Sequence, residues 1–113
     1  MKVQYDIWLV NLNPSRGTES GKIRPAVVIQ TNLLNQVTHP STLICPITSQ
    51  LSSEENILRV RVDTSTTGLD QESEILVDQI RALDNQRFIE KLGRLSPSKS
   101  LELHQKLQAI LDF

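Results

Sequence analysis

Residues 3–12 read V-Q-Y-D-I-W-L-V-N-L, a run rich in β-branched and aromatic residues that ends at the turn-forming pair Asn13-Pro14. This composition predicts a β-strand that is stopped by turn chemistry. A loop with two glycines follows at 15–22, and Pro25 then disfavours the α conformation at Arg24. A second strand is therefore expected from Arg24 to Ile29.

Three more strands, and a weaker fourth, are predicted beyond a polar loop at 32–41. Residues 42–47, T-L-I-C-P-I, form an apolar run in which Pro46 suggests a sheet edge or a bulge. Residues 57–62, I-L-R-V-R-V, alternate between apolar and charged side chains and predict a half-buried strand. A fifth strand is expected at 74–77 after a turn at 64–68, and a weaker sixth at 89–95.

A C-terminal helix is predicted to begin at Ser96-Pro97, since Ser can cap free amides and Pro is tolerated in the first turn. Apolar residues then recur on one helix face, at Leu103, Leu107, Ile110 and Leu111. The predicted fold class is mainly β with a C-terminal α-helix, a small partly open barrel or strongly coiled sheet of five to seven short strands.

Size and charge limit the classes of function. The chain has 113 residues, with 12 Lys and Arg against 13 Asp and Glu, which predicts one domain at 1–113 and excludes a two-domain enzyme. Near-neutral charge argues against a broad basic face but allows a small basic cleft. The sequence has no apolar run of the ~18 residues that a membrane span needs and no signal peptide, so a soluble cytoplasmic protein is expected.

Few residues of the chain suit metal, redox or histidine chemistry. One cysteine, Cys45, and two separated histidines cannot assemble a zinc site or an internal disulfide, so neither metal nor cofactor is expected. His39 lies in a loop and His104 in the helix, where ordinary surface or packing roles are expected. Cys45 stands in an apolar strand and is interpreted as a buried structural thiol.

Two segments could bind an anion. Residues 16–25 combine three cations, a carboxylate and two hydroxyls with flexible glycines, although an ordinary solvated loop has the same composition. Thr48 and Ser49 follow a buried strand directly, where their hydroxyls could reach a phosphate oxygen or could simply end the strand.

Five blocks of sequence, taken in order, resemble the MazF/PemK family of toxin endoribonucleases from type II toxin–antitoxin systems. They are D-I-W-L-V at 6–10 with Asn13-Pro14, G-T-E at 17–19 with R-P-A-V-V at 24–28, P-I-T-S at 46–49, V-D-Q-I-R at 77–81, and K-L-G-R-L-S at 91–96. The resemblance covers nearly the whole chain.

The resemblance implies a homodimer of SH3-like, CcdB-like barrels that cleaves single-stranded RNA, often mRNA, without metal and is neutralised by a cognate antitoxin. It assigns catalysis to Arg24 and Thr48 and places Glu19 in the active-site loop. In similar proteins, Glu19, Gln79 and Arg81 lie near the RNA groove or the dimer surface. The RNA-binding candidates are Arg16, Thr18, Lys22, Ser49, Gln79 and Arg81. Thr18-Glu19-Ser20 and Cys45 depart from common family patterns, which leaves the cut-site sequence open.

The implied chemistry is attack of the RNA 2′-hydroxyl on the adjacent phosphate, which gives 2′,3′-cyclic phosphate and 5′-hydroxyl ends. An arginine stays protonated at cellular pH, so Arg24 suits binding of the scissile phosphate, charge stabilisation and delivery of the leaving-group proton. Thr48 would donate a further hydrogen bond. Glu19, water and the RNA itself remain candidates for the general base.

Two other classes of function share the expected fold. CcdB-like toxins poison gyrase without cutting nucleic acid, and SH3-like modules only bind RNA or protein. Arg24-Pro25 together with Thr48-Ser49 favours the nuclease. Trp8 could stack on a base, but its place in a strand favours core packing.

Overall fold

The computed structural model describes residues 2–13, 22–54 and 56–113. Its strands are β1 (Asp6–Asn11), β2 (Ile23–Val28), β3 (Ser41–Thr48), β4 (Arg59–Val62), β5 (Ser73–Leu76), β6 (Arg81–Asp84) and β7 (Phe88–Arg94). Helix α1 (Asn32–Asn35) follows β2, a 3-10 turn (Asn85–Arg87) follows β6, and helix α2 (Pro97–Leu111) ends the described fold. The predicted class, mainly β with a C-terminal helix, is confirmed.

The sheet is antiparallel and has the strand order β4-β5-β3-β2-β1-β7, with β6 also beside β3. The first half of β3, residues 41–44, pairs with β6, whereas Ile47 and Thr48 pair with β5. Because β3 changes partners along its length, the sheet bends into the coiled, partly open form that short strands favour. Pro46 lies inside this central strand, opposite Ala26 of β2, so the suggested sheet edge is wrong. On its other side, Pro46 falls between the β6 ladder, which ends at Ile44, and the β5 ladder, which begins at Ile47, so an irregularity is present there.

Side chains are buried on both faces of the sheet. One cluster joins Ile7, Val27 and Ile75 to Leu103 of α2. The other, on the opposite face, joins Val10, Ala26, Ile44 and Leu83, with Trp8 and Phe88 packed against it. The alternation of neighbours such as Ala26 and Val27 between the two clusters follows from the two-residue period of a strand.

Helix α2 begins where the sequence predicted. The Ser96 hydroxyl oxygen accepts a hydrogen bond from the Lys99 amide at 3.3 Å, and Pro97 occupies the first turn. Leu103 is fully buried and Leu107 and Ile110 pack against the core. The prediction that Leu111 packs on the core is wrong, because this residue lies in the last turn of the helix and is 47% exposed.

Three local features differ from the sequence predictions. Strand β1 begins at Asp6 and not at residue 3, because Tyr5 has a left-handed φ of 72° and the Asp6 carboxylate accepts from the Val3 amide at 3.1 Å. Helix α1 was expected to be loop; it has four residues, no buried side chain and a Thr31 cap. Strand β6 was also missed as a separate element.

The 66–71 segment packs closely against β7 at two glycines, Gly68 of the segment and Gly93 of the strand. Gly68 has a φ of 74°, and a β-carbon added there would collide with the Leu92 carbonyl. A β-carbon at Gly93 would collide with the carbonyl oxygen of Thr66, which accepts from the Arg94 amide at 2.9 Å. This close approach brings the residues after Gly68 beside β7. Neither helix in the described part of the chain is long and apolar enough to cross a membrane.

Candidate active site

An open trough of about 850 Å³ lies where β2 begins and β3 ends. Apolar side chains from both strands and their neighbours form part of its lining, at Leu9, Ile23, Pro25, Ile47, Leu76 and Leu92. Polar and charged groups enter from β2, the end of β3, β4, the 68–71 segment and β7. An open groove with a partly apolar floor and charged rims suits an extended polar ligand.

Arg24 and Thr48 both line this trough. The antiparallel register pairs Val28 with Ile44 and Ala26 with Pro46. Continuing that register by two residues brings Arg24 opposite Thr48. The two residues that the resemblance assigned to catalysis therefore lie on adjacent strands and line the same trough, although they are far apart in sequence.

The Arg24 guanidinium has unused hydrogen-bonding capacity. Its side chain is half-buried, and its Nε is buried without a hydrogen-bond partner among the described residues. A buried donor without a partner costs on the order of 1–3 kcal/mol. Because Nε is itself buried, an anion in the trough would accept charge-assisted hydrogen bonds from the terminal N–H groups of the guanidinium.

The Thr48 hydroxyl is held in place but keeps its proton available. Its oxygen accepts a hydrogen bond from the Gln50 amide at 3.1 Å. A hydroxyl that accepts in this way can still donate its own hydrogen. Thr48 is half-buried at the last position of β3, so this donation can be directed into the trough.

Lys22, Ser49 and Gln79 also line the trough. Lys22 adopts a left-handed φ of 60°, and its amide donates to the Asn13 side chain at 2.6 Å. Gln79 reaches the trough through a turn after β5, where its amide donates to the Leu76 carbonyl at 3.2 Å. The structure thus brings five sequence-predicted residues to one surface.

The other predicted site residues do not join this group in the described part of the chain. Arg81 is half-buried at the start of β6, where it pairs with Ile44, and it is not part of the trough lining. Arg16, Thr18 and Glu19 lie outside the described residues.

The histidines and the cysteine lie away from the trough. His39 is exposed with its Nδ1 2.8 Å from the Ser41 carbonyl, and His104 is exposed on α2 with its Nδ1 3.4 Å from the Tyr5 hydroxyl. Burial, together with the nearby Asp78, raises the pKa of the Cys45 thiol to about 12. Cys45 is therefore a protonated core residue at neutral pH, not a nucleophile.

Trp8 packs on the second core cluster, and its ring lies 5.8 Å from that of Phe88 in an edge-to-face arrangement. Lys2 Nζ lies 4.4 Å from the Phe88 ring centroid and 5.5 Å from that of Trp8. Trp8 is not part of the trough lining, which favours the core-packing interpretation of this residue over base stacking.

Sequence reasoning missed several polar residues of the trough, namely Arg59, Asp70, Gln71, Ser73 and Glu90. It also missed the buried carboxylate behind Arg59, that of Glu74. Burial alone would raise the pKa of Glu74, but the Ser52 amide and the side chains of Arg61, Ser52 and Arg59 lower it to about 2. The alternating arginines of residues 57–62 were the available signal, and it indicated only a solvent-facing side of a strand.

A metal-binding cluster of three or more His, Cys, Asp or Glu side chains is absent from residues 2–13, 22–54 and 56–113. The charged groups of the trough are instead three cations, Lys22, Arg24 and Arg59, with the carboxylates of Asp70 and Glu90. This arrangement can bind a chain that carries both phosphates and hydrogen-bonding bases.

Comparison with known proteins gives one consistent family. Residues 3–111 match the family described as "PemK-like, MazF-like toxin of type II toxin-antitoxin system". Proteins called endoribonuclease MazF from Staphylococcus saprophyticus and Staphylococcus epidermidis are each 36% identical over 106 residues, which cover 94% of this chain and 88% of the relative.

Solved structures agree with this match. The crystal structure of MazF (Form-I) from Deinococcus radiodurans is similar with a TM-score of 0.83 and 26% identity, covering 99% of this chain and 97% of that one. The MazE-MazF (Form-II) structure from the same organism gives a TM-score of 0.77 and 26% identity over 99% of this chain and 96% of that one. The resemblance inferred from the five sequence blocks is confirmed.

Proposed function

Because this chain belongs to the PemK-like, MazF-like toxins of type II toxin–antitoxin systems and is an endoribonuclease, we propose that it cleaves single-stranded RNA within the trough. The observation that supports this site most strongly is that Arg24 and Thr48, on the adjacent strands β2 and β3, both line the trough. The first has a buried donor without a partner among the described residues, and the second has a hydroxyl proton to donate. Both groups suit a phosphate.

Arg24 and Thr48 would hold the non-bridging oxygens of the scissile phosphate. A base removes the proton of the 2′-hydroxyl, the 2′-oxygen forms a bond to phosphorus, and the bond to the 5′-oxygen breaks as that oxygen takes up a proton. Arg24 stabilises the charge that builds on the phosphate and is the proposed donor of that proton. The products are a 2′,3′-cyclic phosphate and a 5′-hydroxyl.

The general base remains open among several groups. Glu19 belongs to the loop outside the described residues, and water and the RNA itself are further candidates. Within the described residues, Asp70 and Glu90 are the carboxylates that line the trough. We propose that the reaction uses no metal, since the cations needed to bind and stabilise a phosphate are side chains of the chain itself.

The protein partner is an antitoxin, as the family description states. We propose that an acidic, disordered segment of the antitoxin folds onto the cationic side of the trough and excludes RNA. We further propose a homodimer of single-domain chains, which act in the cytoplasm, where mRNA and the antitoxin are both present. The family match over residues 3–111 supports the single domain.

Digestion of a defined long RNA in the presence of EDTA tests the proposed reaction. We expect cuts at a short recurring motif, with cyclic phosphate and 5′-hydroxyl ends identified by mass spectrometry. Fragments with 5′-phosphates would contradict attack by the 2′-hydroxyl, and dependence on added metal would contradict the metal-free mechanism. Intact RNA would instead favour a CcdB-like toxin or a binding module.

A further inference from the structure

Glu74 is a charged residue inside the wall of the trough. Its side chain is 4% exposed and lies on β5 opposite Thr48 of β3. Its two oxygens accept hydrogen bonds from the Ser52 amide at 2.8 Å and from Arg59 Nη1 and Arg61 Nη2 at 2.9 Å each. A buried carboxylate with this many donors is fixed in one orientation and fixes its donors in turn.

These contacts close a ring that includes the candidate catalytic hydroxyl. Thr48 Oγ1 accepts from the Gln50 amide, and the Gln50 carbonyl accepts from Arg59 Nη1 at 3.1 Å. The same Arg59 nitrogen donates to Glu74, which pairs with Thr48 in the sheet. Arg59 is therefore held relative to Thr48 by two routes, through the backbone of residue 50 and through Glu74.

Arg59 and Arg61 both donate hydrogen bonds to the Glu74 carboxylate but differ in their other contacts. Both donate to Glu74, and each donates to one backbone carbonyl of the 50–52 segment, at 3.1 Å. Arg61 also contacts Glu72 at 3.3 Å and is not part of the trough lining. Arg59 lines the trough, and its Nε and Nη2 have no hydrogen-bond partner among the described residues.

We propose that Arg59 is a second phosphate-binding residue of the RNA site, and that Glu74 is the positioning residue that directs its free N–H groups into the trough. This inference rests on the proposed function. Arg24 and Thr48 hold the scissile phosphate from the β2–β3 side. Arg59, held to Thr48 across β3, β5 and β4, binds a neighbouring phosphate of the same strand.

The dependence of RNA binding on salt tests this role, because each phosphate contact to a single strand contributes about −0.7 to the slope of log K against log salt concentration. The probe is the RNA identified by end mapping, made with a 2′-deoxy nucleotide at the cut so that it binds without reacting. Arg59→Gln is compared with Arg61→Gln, since each removes one cation that contacts Glu74, through one hydrogen bond from Arg59 and two from Arg61.

We expect Arg59→Gln to reduce the slope by about 0.7 and Arg61→Gln to leave it unchanged. Arg59→Lys keeps the charge and should keep the slope, whereas Glu74→Gln should weaken binding and reduce the slope, because Arg59 is no longer held towards its phosphate. Circular dichroism and the melting temperature of each variant separate these effects from loss of the fold.

Equal slopes for wild type and Arg59→Gln would overturn the assignment of Arg59, as would equal reductions of the slope in Arg59→Gln and Arg61→Gln. The proposed function would still stand if the wild-type protein cleaved RNA. Wild-type protein that binds the defined long RNA but never cuts it would contradict the proposed function, and the slopes of the variants, measured on that uncut RNA, would then test Arg59. Wild-type protein that does not bind RNA would contradict both.

Discussion

The arginines on the two sides of the trough differ in their hydrogen bonding. On the β2 side, Arg24 has a buried Nε without a partner among the described residues. On the β4–β5 side, Arg59 and Arg61 are tied to the buried carboxylate of Glu74, which also accepts from Ser52. Most buried polar groups in folded proteins are satisfied, so the carboxylate of Glu74 has the usual pattern of a structural group, whereas Arg24 Nε is an exception to that pattern.

The difference separates residues that act on the ligand from residues that shape its site. Replacing Arg24 would break no hydrogen bond of its Nε within the described fold. Glu74 accepts hydrogen bonds from Ser52, Arg59 and Arg61, so its removal should destabilise the fold, and in our proposal it acts on RNA only through Arg59. Substitution of Arg24 should therefore change the rate of RNA cleavage, whereas substitution of Glu74 should change the stability of the fold.

Replacing Arg24 should give the largest effect on activity. We expect Arg24→Ala to lower the rate of RNA cleavage by on the order of a hundredfold to a thousandfold, since it removes the main donor to the charge on the scissile phosphate. The melting temperature should stay close to that of wild type. Arg94→Ala, which removes an exposed arginine outside the trough lining, is the control and should cut normally.

Removing the Thr48 hydroxyl should have a smaller effect on the same reaction. A hydrogen bond to a charged group contributes about 1.5–3 kcal/mol, so Thr48→Val should lower kcat by on the order of tenfold to a hundredfold. Thr48→Ser should retain most activity. Thr42→Val on the same strand removes a hydroxyl that donates to Asn85 at 2.6 Å, so it should lower stability but not the cleavage rate.

The ionisation of Glu74 should make the stability of the fold depend on pH in the acid range. Its folded pKa of about 2 lies below the ordinary value of 4.5, so its ionised form stabilises the fold at pH values above about 4.5. That contribution is lost as the pH falls from about 4.5 towards 2. Urea unfolding across this range should show a steeper loss for wild type than for Glu74→Gln.

Glu72→Gln is the matched control for the acid measurement, because Glu72 contacts Arg61 at the exposed rim of the same cluster. It should follow the wild-type curve closely. If Glu74→Gln and wild type lost stability in parallel below pH 4.5, the difference between the two sides of the trough would not be electrostatic.

Replacing both histidines should have the smallest effect. Neither His39 nor His104 lines the trough, so the double variant with Gln at both positions should cleave RNA within about twofold of wild type and with the same pH profile. If the wild-type cleavage rate changed with pH near the ordinary pKa of histidine, about 6.5, and the double variant lost that change, a histidine would take part in the chemistry.

The sequence predicted the strands that contain a long apolar or alternating run, and it predicted the helix start from its cap. It missed β6, where Leu83 is the single buried residue in four and leaves no readable period. It missed α1 because a four-residue helix without buried side chains has no apolar face. It placed Leu111 in the core because periodicity does not show where a helix passes beyond the sheet.

The site was predictable where family motifs mark it and hidden where register creates it. Arg24, Thr48, Ser49 and Gln79 stand in motifs, and the structure brings all four to the trough. The link between Glu74 and Arg59 depends on which strands become neighbours and in which register. Alternation along one strand contains no information about that pairing, so the β4–β5 wall could be found only in three dimensions.

A double-mutant cycle on Arg24 and Thr48 tests most directly whether they hold the same phosphate. Single-turnover cleavage rates would be measured for wild type, Arg24→Ala, Thr48→Val and the combined variant. If both side chains act on one phosphate, the combined loss should be well short of the product of the two single losses, because residues acting as a unit are not additive. A combined loss equal to that product would show that the two residues act independently and would contradict the shared site.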